Sequence, residues 1–509
     1  MRYRKIIISA ILIAGFALRL FTLIQLSSTA FYNPMLMDKH DQKTFHLWAQ
    51  SIQKHPFYVD GQAFYMAPLY PYFLALVYSI SGGSIFFAGL LQGLLDTLVI
   101  FMIYLLGKKI KDEHTGVFAA FFFAFYQTVI LYSVSILSDG LIVFLNILFI
   151  TVLYRSLQVK TRFSYFISGI VLGFAALAKP TILAFIPFII VGLWLWPEKQ
   201  LIVQSGTKNR SSQLIQAILF GCIGCAIIIL PVTLRNLVVS REFVLICTNG
   251  PVNWQIGNSS DSVGLFCYPK GDLLHPASID FWKLIFKKTL LFFNSYEWPQ
   301  NLSIYIAREI VPALKLAFVR FGFIVSLGVI GIFLAARSGK NFLFVSFTIV
   351  QIVWVIMFFI TDRYRFPAVA CLTITAGFLI KQTLDEFTKD RKLVKPSIRF
   401  ILAGLWAYIF GWGPGQSFND MYWKIFAKLS KANIVYNLQA KNNNLAEKIA
   451  KDYEKLLTQD PDSHFFLACV YAQKGKMDDA ERELIITLKM NPEHQYARKF
   501  LDDIRKKPL

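Results

Sequence analysis

Three aspartates and four cationic side chains stand out from an otherwise apolar chain: Asp38, Asp41 and Asp139, with Arg19, Lys179, Arg363 and Arg365. A carboxylate beside a bilayer can serve as a general base when its surroundings tune it. Arginine and lysine can hold a phosphate, arginine with the better two-point geometry. Together these types point to a reaction on a phosphate-bearing lipid, although each also reads as a solvated loop charge. The densest stretch is Asp38-Lys39-His40-Asp41-Gln42-Lys43-Thr44-Phe45-His46-Leu47-Trp48-Ala49, directly behind the first hydrophobic span, with Ala67-Pro68-Leu69-Tyr70-Pro71 following it. His40, His46 and His55 could bind a metal but match no recognised metal-ligand spacing, so no cofactor is assigned; a divalent ion stays open without being indicated.

The elements that must position these groups are set by composition. The 509 residues are 55% hydrophobic and 16% aromatic, with a mean hydropathy of +0.50. Apolar runs of about 17 to 25 residues recur along the chain, each bounded by basic clusters. That pattern predicts an all-α polytopic membrane protein with about eleven spans. A membrane barrel would instead show short alternating strands. The net charge of +21 would suggest nucleic acid in a soluble protein; here Lys and Arg collect in loops and hold the topology, so no nucleic-acid partner is expected. No glycine-rich phosphate loop or nucleotide domain is present, which argues against an ATP-driven transporter and against a soluble nucleotide-sugar donor.

Arg2, Arg4 and Lys5 precede the first span, Ile6 to Leu26, which reads as a signal anchor with a cytosolic N-terminus. Arg19 lies in its outer half and Asp96 in the second span, Ile85 to Leu106; the two can pair with each other. The loop 27–83 is then external, with an amphipathic helix from Asp41 that carries Phe45, Trp48, Ala49 and Ile52 on one face. Further spans are expected at Val117 to Ser133, from Gly140 to Tyr154, on either side of Lys179-Pro180-Thr181, up to Pro231, at Phe318 to Ala336 and Phe342 to Ile360, and up to Ile380. Asp139, Lys179 and Asp362-Arg363-Tyr364-Arg365-Phe366-Pro367 fall on the same face as Asp41. So does the long segment 235–312, which contains Asn294-Ser295-Tyr296-Glu297 and the basic Lys283, Lys287 and Lys288. A connection of that length is more often functional than idle.

The stretch Phe400 to Trp412 is short for a span. If it crosses, the tail is external; if it re-enters, the tail is cytosolic. The soluble tail, 413–509, carries Leu467, Ala468, Tyr471, Gly475, Ala480, Leu484 and Pro492 at the spacing of a tetratricopeptide repeat, a pattern in which small residues let two antiparallel helices pack. It could recruit a protein partner. Cys222 and Cys225 lie within an apolar helix and read as packing; Cys247 and Cys267 share one loop and would pair only in an oxidising compartment.

One span, then Asp41-x-x-x-Phe45-x-x-x-Ala49, then Pro68-Leu69, resembles the C-type (GT-C fold) glycosyltransferases, which include the protein O-mannosyltransferases and the lipid A aminoarabinose transferase. Arg363-Tyr364-Arg365-Phe366-Pro367 and Arg19-Leu20 resemble segments of bacterial members with a tetratricopeptide tail. The resemblance covers most of the chain up to Ile380. It implies a transmembrane transferase body, 1–412, in a bacterial inner membrane, with its active site on the extracytoplasmic face. The donor would be a polyprenyl-phosphate sugar and the acceptor a glycan, lipid or protein. Asp41 would be the general base, the sugar would be transferred with inversion, and Arg363, Arg365, Arg19 and Lys179 would hold the lipid phosphate. The acid that usually follows the aspartate is Gln42 here, so one carboxylate is missing, and Asp38 or Asp139 is left to supply it. A lipid-linked glycan transporter or polymerase, and a membrane scaffold with a recruiting tail, are the competing readings.

Overall fold

In hydrocarbon every backbone N–H and C=O must be satisfied within its own segment, so apolar runs of this length become helices. A computed structural model describes residues 2–37, 40–57, 61–195, 210–390, 394–409 and 416–506. Among them are 22 α-helices and no β-strand, only isolated bridges such as Tyr126 with Val319. Among the described residues six helices are long and apolar enough to cross a membrane, and shorter apolar helices lie at Leu69–Ser81, Arg162–Ala178, Pro180–Leu195 and Phe321–Ala336. The chain is an all-α, multi-pass membrane protein.

The first three helices are α1 (Arg2–Leu26), α2 (Asp41–Lys54) and α3 (Leu69–Ser81). Phe45, Ala49 and Ile52 form one buried face of α2. That face turns onto protein: the Phe45 ring meets Tyr70 of α3 edge-on at 4.9 Å, and His46 Nδ1 lies 2.8 Å from the Tyr78 hydroxyl. Tyr70 in turn donates to Gln92 Oε1 at 2.8 Å.

Next come α4 (Ile85–Ile110), α5 (Glu113–Ala124), α6 (Gln127–Ser133) and α7 (Asp139–Val159). The run Val117 to Ser133, expected as one span, is two helices broken at Phe125-Tyr126. The backbone groups freed by the break are met elsewhere. Gln127 N–H donates to Val319 O and Val319 N–H to Phe125 O, at 3.3 and 3.2 Å. Arg19 Nη1 donates to Ala124 O at 3.2 Å, placing a cation at the negative end of α5. Neither glycine nor proline marks this break, so hydropathy alone reads straight through it.

α8 (Arg162–Ala178), α9 (Ile186–Leu195) and α10 (Arg210–Ser240) follow. α8 and α10 cross so closely that a Cβ added at Gly169 would lie 2.0 Å from Gly221 O. Small residues permit such approach between helices in lipid, and Cys225 packs at the same crossing. Gly169→Ala is therefore expected to lower stability by about 1–3 kcal/mol, the usual cost of overpacking. Heat survival of the detergent-solubilised protein measures it, with Gly404→Ala as control because nothing lies within 4 Å of that position.

Beyond α10 lie α11 (Gly250–Asn258), α12 (Ile279–Phe293) and α13 (Ile304–Ile310). Lys288 of α12 is fully buried. Its Nζ donates among Gly257 O, Asn258 Oδ1, Met357 O and Phe358 O at 2.8–3.2 Å. Burial pulls its ammonium down to about 7. The position therefore reports a tertiary cross-link rather than topology. α14 (Phe321–Ala336), α15 (Phe342–Met357), α16 (Phe366–Asp390) and α17 (Val394–Ile409) complete the apolar part. Phe400 to Trp412 lies on α17 as far as Ile409; residues 410–415 are outside the described residues. The tail forms α18 (Gln416–Gln439), α19 (Asn443–Leu456), α20 (Pro461–Gln473), α21 (Met477–Met490) and α22 (Gln495–Lys506).

These helices gather into two units. The first is Met1–Leu20, Phe45–Gln300 and Leu316–Gly413. Its helices carry the buried apolar interior together with the polar cluster described below. The second is Phe21–Thr44, Asn301–Lys315 and Pro414–Leu509. In this second unit the tail packs on the chain just after the first span: Asn433 Nδ2 donates to Ala30 O at 3.0 Å, the Phe426 ring lies 5.8 Å from Phe31, and Lys448 reaches the Ser28 hydroxyl. Ala313 N–H donates to Gln25 Oε1 at 2.8 Å. Farther along the tail, Ala468, Ala480, Leu484, Ala497 and Leu501 form a small core, and Gly475 turns between α20 and α21 at φ +75°, a conformation that favours glycine.

Candidate active site

In the first unit, side chains far apart in sequence converge on one buried polar cluster. Asp139 opens α7 and is 4% exposed; its Oδ2 lies 3.5 Å from Nη1 of Arg363, also 4% exposed. Arg363 Nε donates to Gln300 Oε1 at 3.1 Å. Its backbone N–H donates to Asp362 Oδ1 at 2.7 Å. The Tyr132 hydroxyl sits 3.0 Å from Asp362 Oδ1 and 2.6 Å from Gln300 O. Lys179, at the C-cap of α8, holds its Nζ 3.9 Å from the centre of the Tyr364 ring, an arrangement that favours the charged ammonium through the ring's quadrupole.

The electrostatics of this cluster lean positive. Burial pushes the Asp362 carboxyl well above the ordinary range, and Glu297 adds to the effect. Glu297, which accepts from the Tyr126 hydroxyl at 3.0 Å, is also raised by burial, with Arg365 opposing. Where both acids keep their protons, Lys179, Arg363 and Arg365 outweigh Asp139. Burial pulls the Lys179 ammonium down to about 8, Asp139 acting to raise it and Arg363 to lower it further. Of the three cations, Lys179 alone keeps partial exposure.

The other candidates stand differently. Arg365 is fully buried. It donates to Tyr296 O at 3.0 Å and Leu291 O at 2.6 Å, and its guanidinium lies 4.3 Å from the Phe321 ring centre. Those bonds brace the chain around Tyr296. Arg19 is fully buried too; its Nε and Nη2 both lie 2.6 Å from Asp96 Oδ2, and Nη1 donates to Gly15 O at 2.8 Å. This is the pairing that the sequence already offered for Asp96. Asp38 lies outside the described residues.

Asp41, in the second unit, is the first residue of α2. Its N–H donates to Asn301 Oδ1 at 3.2 Å, and its Oδ2 accepts from Asn301 Nδ2 at 3.1 Å. Gln42 beside it is 2% exposed. Among the described residues no group of three or more His, Cys, Asp or Glu stands together to hold a metal ion, and all six cysteines are free thiols.

Sequence reasoning missed Tyr132, Gln300, Asn301 and Asp362 as members of these networks. Tyr132 is hidden in an apolar run, and no spacing marks Gln300 and Asn301. Asp362 carries a usable signal: it is the acid heading a segment already singled out for its two arginines.

Residues 63–232, which take in Asp139 and Lys179, match the family model described as dolichyl-phosphate-mannose-protein mannosyltransferase. Among solved structures, the oligosaccharyltransferase of Archaeoglobus fulgidus in the apo form is 13% identical, with a TM-score of 0.44, covering 82% of this chain and 57% of that one. The archaeal oligosaccharyltransferase AglB from Archaeoglobus fulgidus, in complex with an inhibitory peptide and a dolichol-phosphate, is 15% identical, with a TM-score of 0.42 and coverages of 85% and 58%. The chain thus spans somewhat over half the length of these structures. Comparison with the curated proteins gives no match.

Proposed function

We propose, from the similarity of residues 63–232 to dolichyl-phosphate-mannose-protein mannosyltransferases, that this protein is a membrane glycosyltransferase. It moves a sugar from a polyprenyl-phosphate carrier to an acceptor hydroxyl on the extracytoplasmic face of a bacterial inner membrane. Asp41 takes the proton of the acceptor hydroxyl. The oxygen attacks the anomeric carbon, the carbon–phosphate-oxygen bond breaks, and the configuration inverts. The lipid phosphate leaves with its charge, and fixed cations in a site of low dielectric stabilise that charge strongly. Lys179 and Arg363 are assigned to it. Asp139 holds Arg363 in place, while Arg365 and Arg19 brace the fold. Residues 1–412 form the transferase body, and the tail supports the loop that leads to Asp41.

The observation that carries this reading is the largely buried Lys179, which keeps slight exposure, beside the buried Asp139–Arg363 pair, 3.5 Å apart. A cation with residual access, backed by a guanidinium already oriented by a carboxylate and an amide, is suited to a phosphodiester. Transfer of radiolabelled mannose from dolichyl-phosphate mannose to acceptors in membranes tests the reaction class. Membranes that lack the protein must not show the product, and absence of transfer from a panel of polyprenyl-phosphate sugars would remove the reading.

A second measurement addresses the phosphate. The ammonium of Lys179 loses its proton as pH rises through about 8. A phosphodiester keeps one negative charge throughout that range. Donor binding is therefore expected to weaken by about tenfold between pH 6.5 and 9, the worth of one charge-assisted contact. Lys179→Met should bind weakly at both pH values and lose the dependence. A wild-type curve that stays flat would release Lys179 from this role.

A further inference from the structure

We infer that Asn301 is the positioning residue of Asp41, an inference that rests on the base role proposed above. One amide makes two bonds to one residue: its Oδ1 accepts the Asp41 N–H at 3.2 Å, and its Nδ2 donates to Asp41 Oδ2 at 3.1 Å. The bond to the N–H answers a need of the helix. Asp41 begins α2, and the first N–H groups of a helix have no partner within it. The residue before it, His40, is a poor cap, so the acceptor arrives from a segment 260 residues away. The bond to the carboxylate fixes the side chain against the same amide that fixes its backbone. The orientation of the amide follows from chemistry, since a flipped Asn301 would face N–H with NH2 and carboxylate with oxygen.

Side chains of similar size serve less well. Aspartate cannot donate, and serine has one hydroxyl for two tasks. Asn301 also holds φ +67°, a left-handed conformation in which asparagine is enriched and which glycine adopts freely. Its segment is tied down in turn, because Ala313 N–H donates to Gln25 Oε1 at 2.8 Å. The carboxylate is thus held by a clip outside its own helix. Loss of the clip has two consequences for a base. The carboxylate gains rotamers that are not aimed at the acceptor, and misplacement of a reacting group by about 1 Å can cost a hundredfold in rate. It also loses a donor to its charged form, so it keeps its proton to higher pH.

The test uses the full-length protein in detergent, with dolichyl-phosphate mannose as donor, and compares wild type with Asn301→Gly, Asn301→Ser and Asn301→Asp. Glycine keeps the backbone conformation and removes only the amide. The kcat of Asn301→Gly should fall by roughly ten- to a hundredfold, with the donor KM unchanged and the acid limb of the pH–rate profile moved to higher pH. Asn301→Ser should fall between, and Asn301→Asp, which brings a second negative charge, should lose most. A merely structural role would change heat survival and leave the acid limb in place. A second readout needs no donor: the pH midpoint for modification of Asp41 by dicyclohexylcarbodiimide, read by mass spectrometry, should be higher in Asn301→Gly. An unchanged midpoint overturns the inference whatever the donor proves to be. Wild-type kcat and pH profile in Asn301→Gly, beside an inactive Asp41→Asn, overturn it and leave the base role standing. Full transfer by Asp41→Asn removes the base role and the inference with it.

Discussion

Asp41→Asn is expected to abolish transfer while the protein reaches the membrane at its normal level. Asparagine has nearly the shape of aspartate, and its carbonyl oxygen can still accept from Asn301 Nδ2, 3.1 Å away in the wild type. The backbone bond to Asn301 Oδ1 is untouched. The start of α2 should therefore hold, and Phe45 should still seat against Tyr70. What disappears is the ability to take a proton. General-base catalysis is worth roughly 10²–10⁴ in rate, so residual transfer should fall in or below that range. The assay supplies labelled dolichyl-phosphate mannose to membranes matched for protein by immunoblot, and the configuration of the product glycoside reports inversion. Undiminished transfer by the variant would move the proton acceptor to another carboxylate, Asp139 being the described candidate.

The second large effect concerns stability and comes from Arg19 and Asp96. Both are buried, with Nε and Nη2 each 2.6 Å from one carboxylate oxygen. Such a pair adds little net stability over a well-packed apolar pair, but removing one partner strands the other. The two single losses should differ. An arginine cannot shed its proton in a protein, whereas an aspartate can gain one and become neutral. Asp96→Leu is therefore expected to cost about 3–5 kcal/mol, enough to deplete the folded protein. Arg19→Leu should cost less on the charge account, although it also strips a donor from Gly15 O and Ala124 O. The double variant Arg19→Leu/Asp96→Leu should recover much of the loss. Fluorescence-detected gel filtration after heating measures all three. If the double variant is no better than Asp96→Leu, charge stranding is not the mechanism.

The division of labour among the cationic candidates follows from their partners. Arg19, Arg363 and Arg365 are alike as sequence: each is an arginine at or near the end of an apolar run. In the structure Arg19 is matched by a carboxylate and two carbonyls, and Arg365 is spent on two carbonyls between aromatic rings. Arg363 also faces a carboxylate, but Asp139 stands at 3.5 Å where Asp96 is 2.6 Å from Arg19, and burial holds the protons of Asp362 and Glu297 to higher pH. An anion would find the least competition near Arg363 and Lys179.

Much of the architecture was legible without coordinates, because it rests on short-range regularities. The apolar runs that became α1, α4, α7, α15 and α16 declare themselves by length and composition. The amphipathic face of α2 follows from Phe45, Ala49 and Ile52 at helical spacing, and Asp41 marks where that helix begins. Each of these depends on residues within a few turns of one another, and hydrophobic periodicity records such relations directly. The break between α5 and α6 was not legible, since its cause is Val319 pairing with Phe125 and Gln127 across the fold. Nor was it legible that Lys288 would serve four oxygens on other segments, or that Gly169 would face the Gly221 carbonyl. The sequence by itself determined which segments are helical and apolar and which charges stand at their ends. The pairing of Arg19 with Asp96 was open to the sequence, but the tertiary structure alone decided the other partners: Arg363 for Asp139 at a separation of 224 residues, and Asn301 for Asp41 at 260. A helix is specified by neighbours along the chain, whereas a buried charge takes whatever partner the packing of distant segments brings within reach.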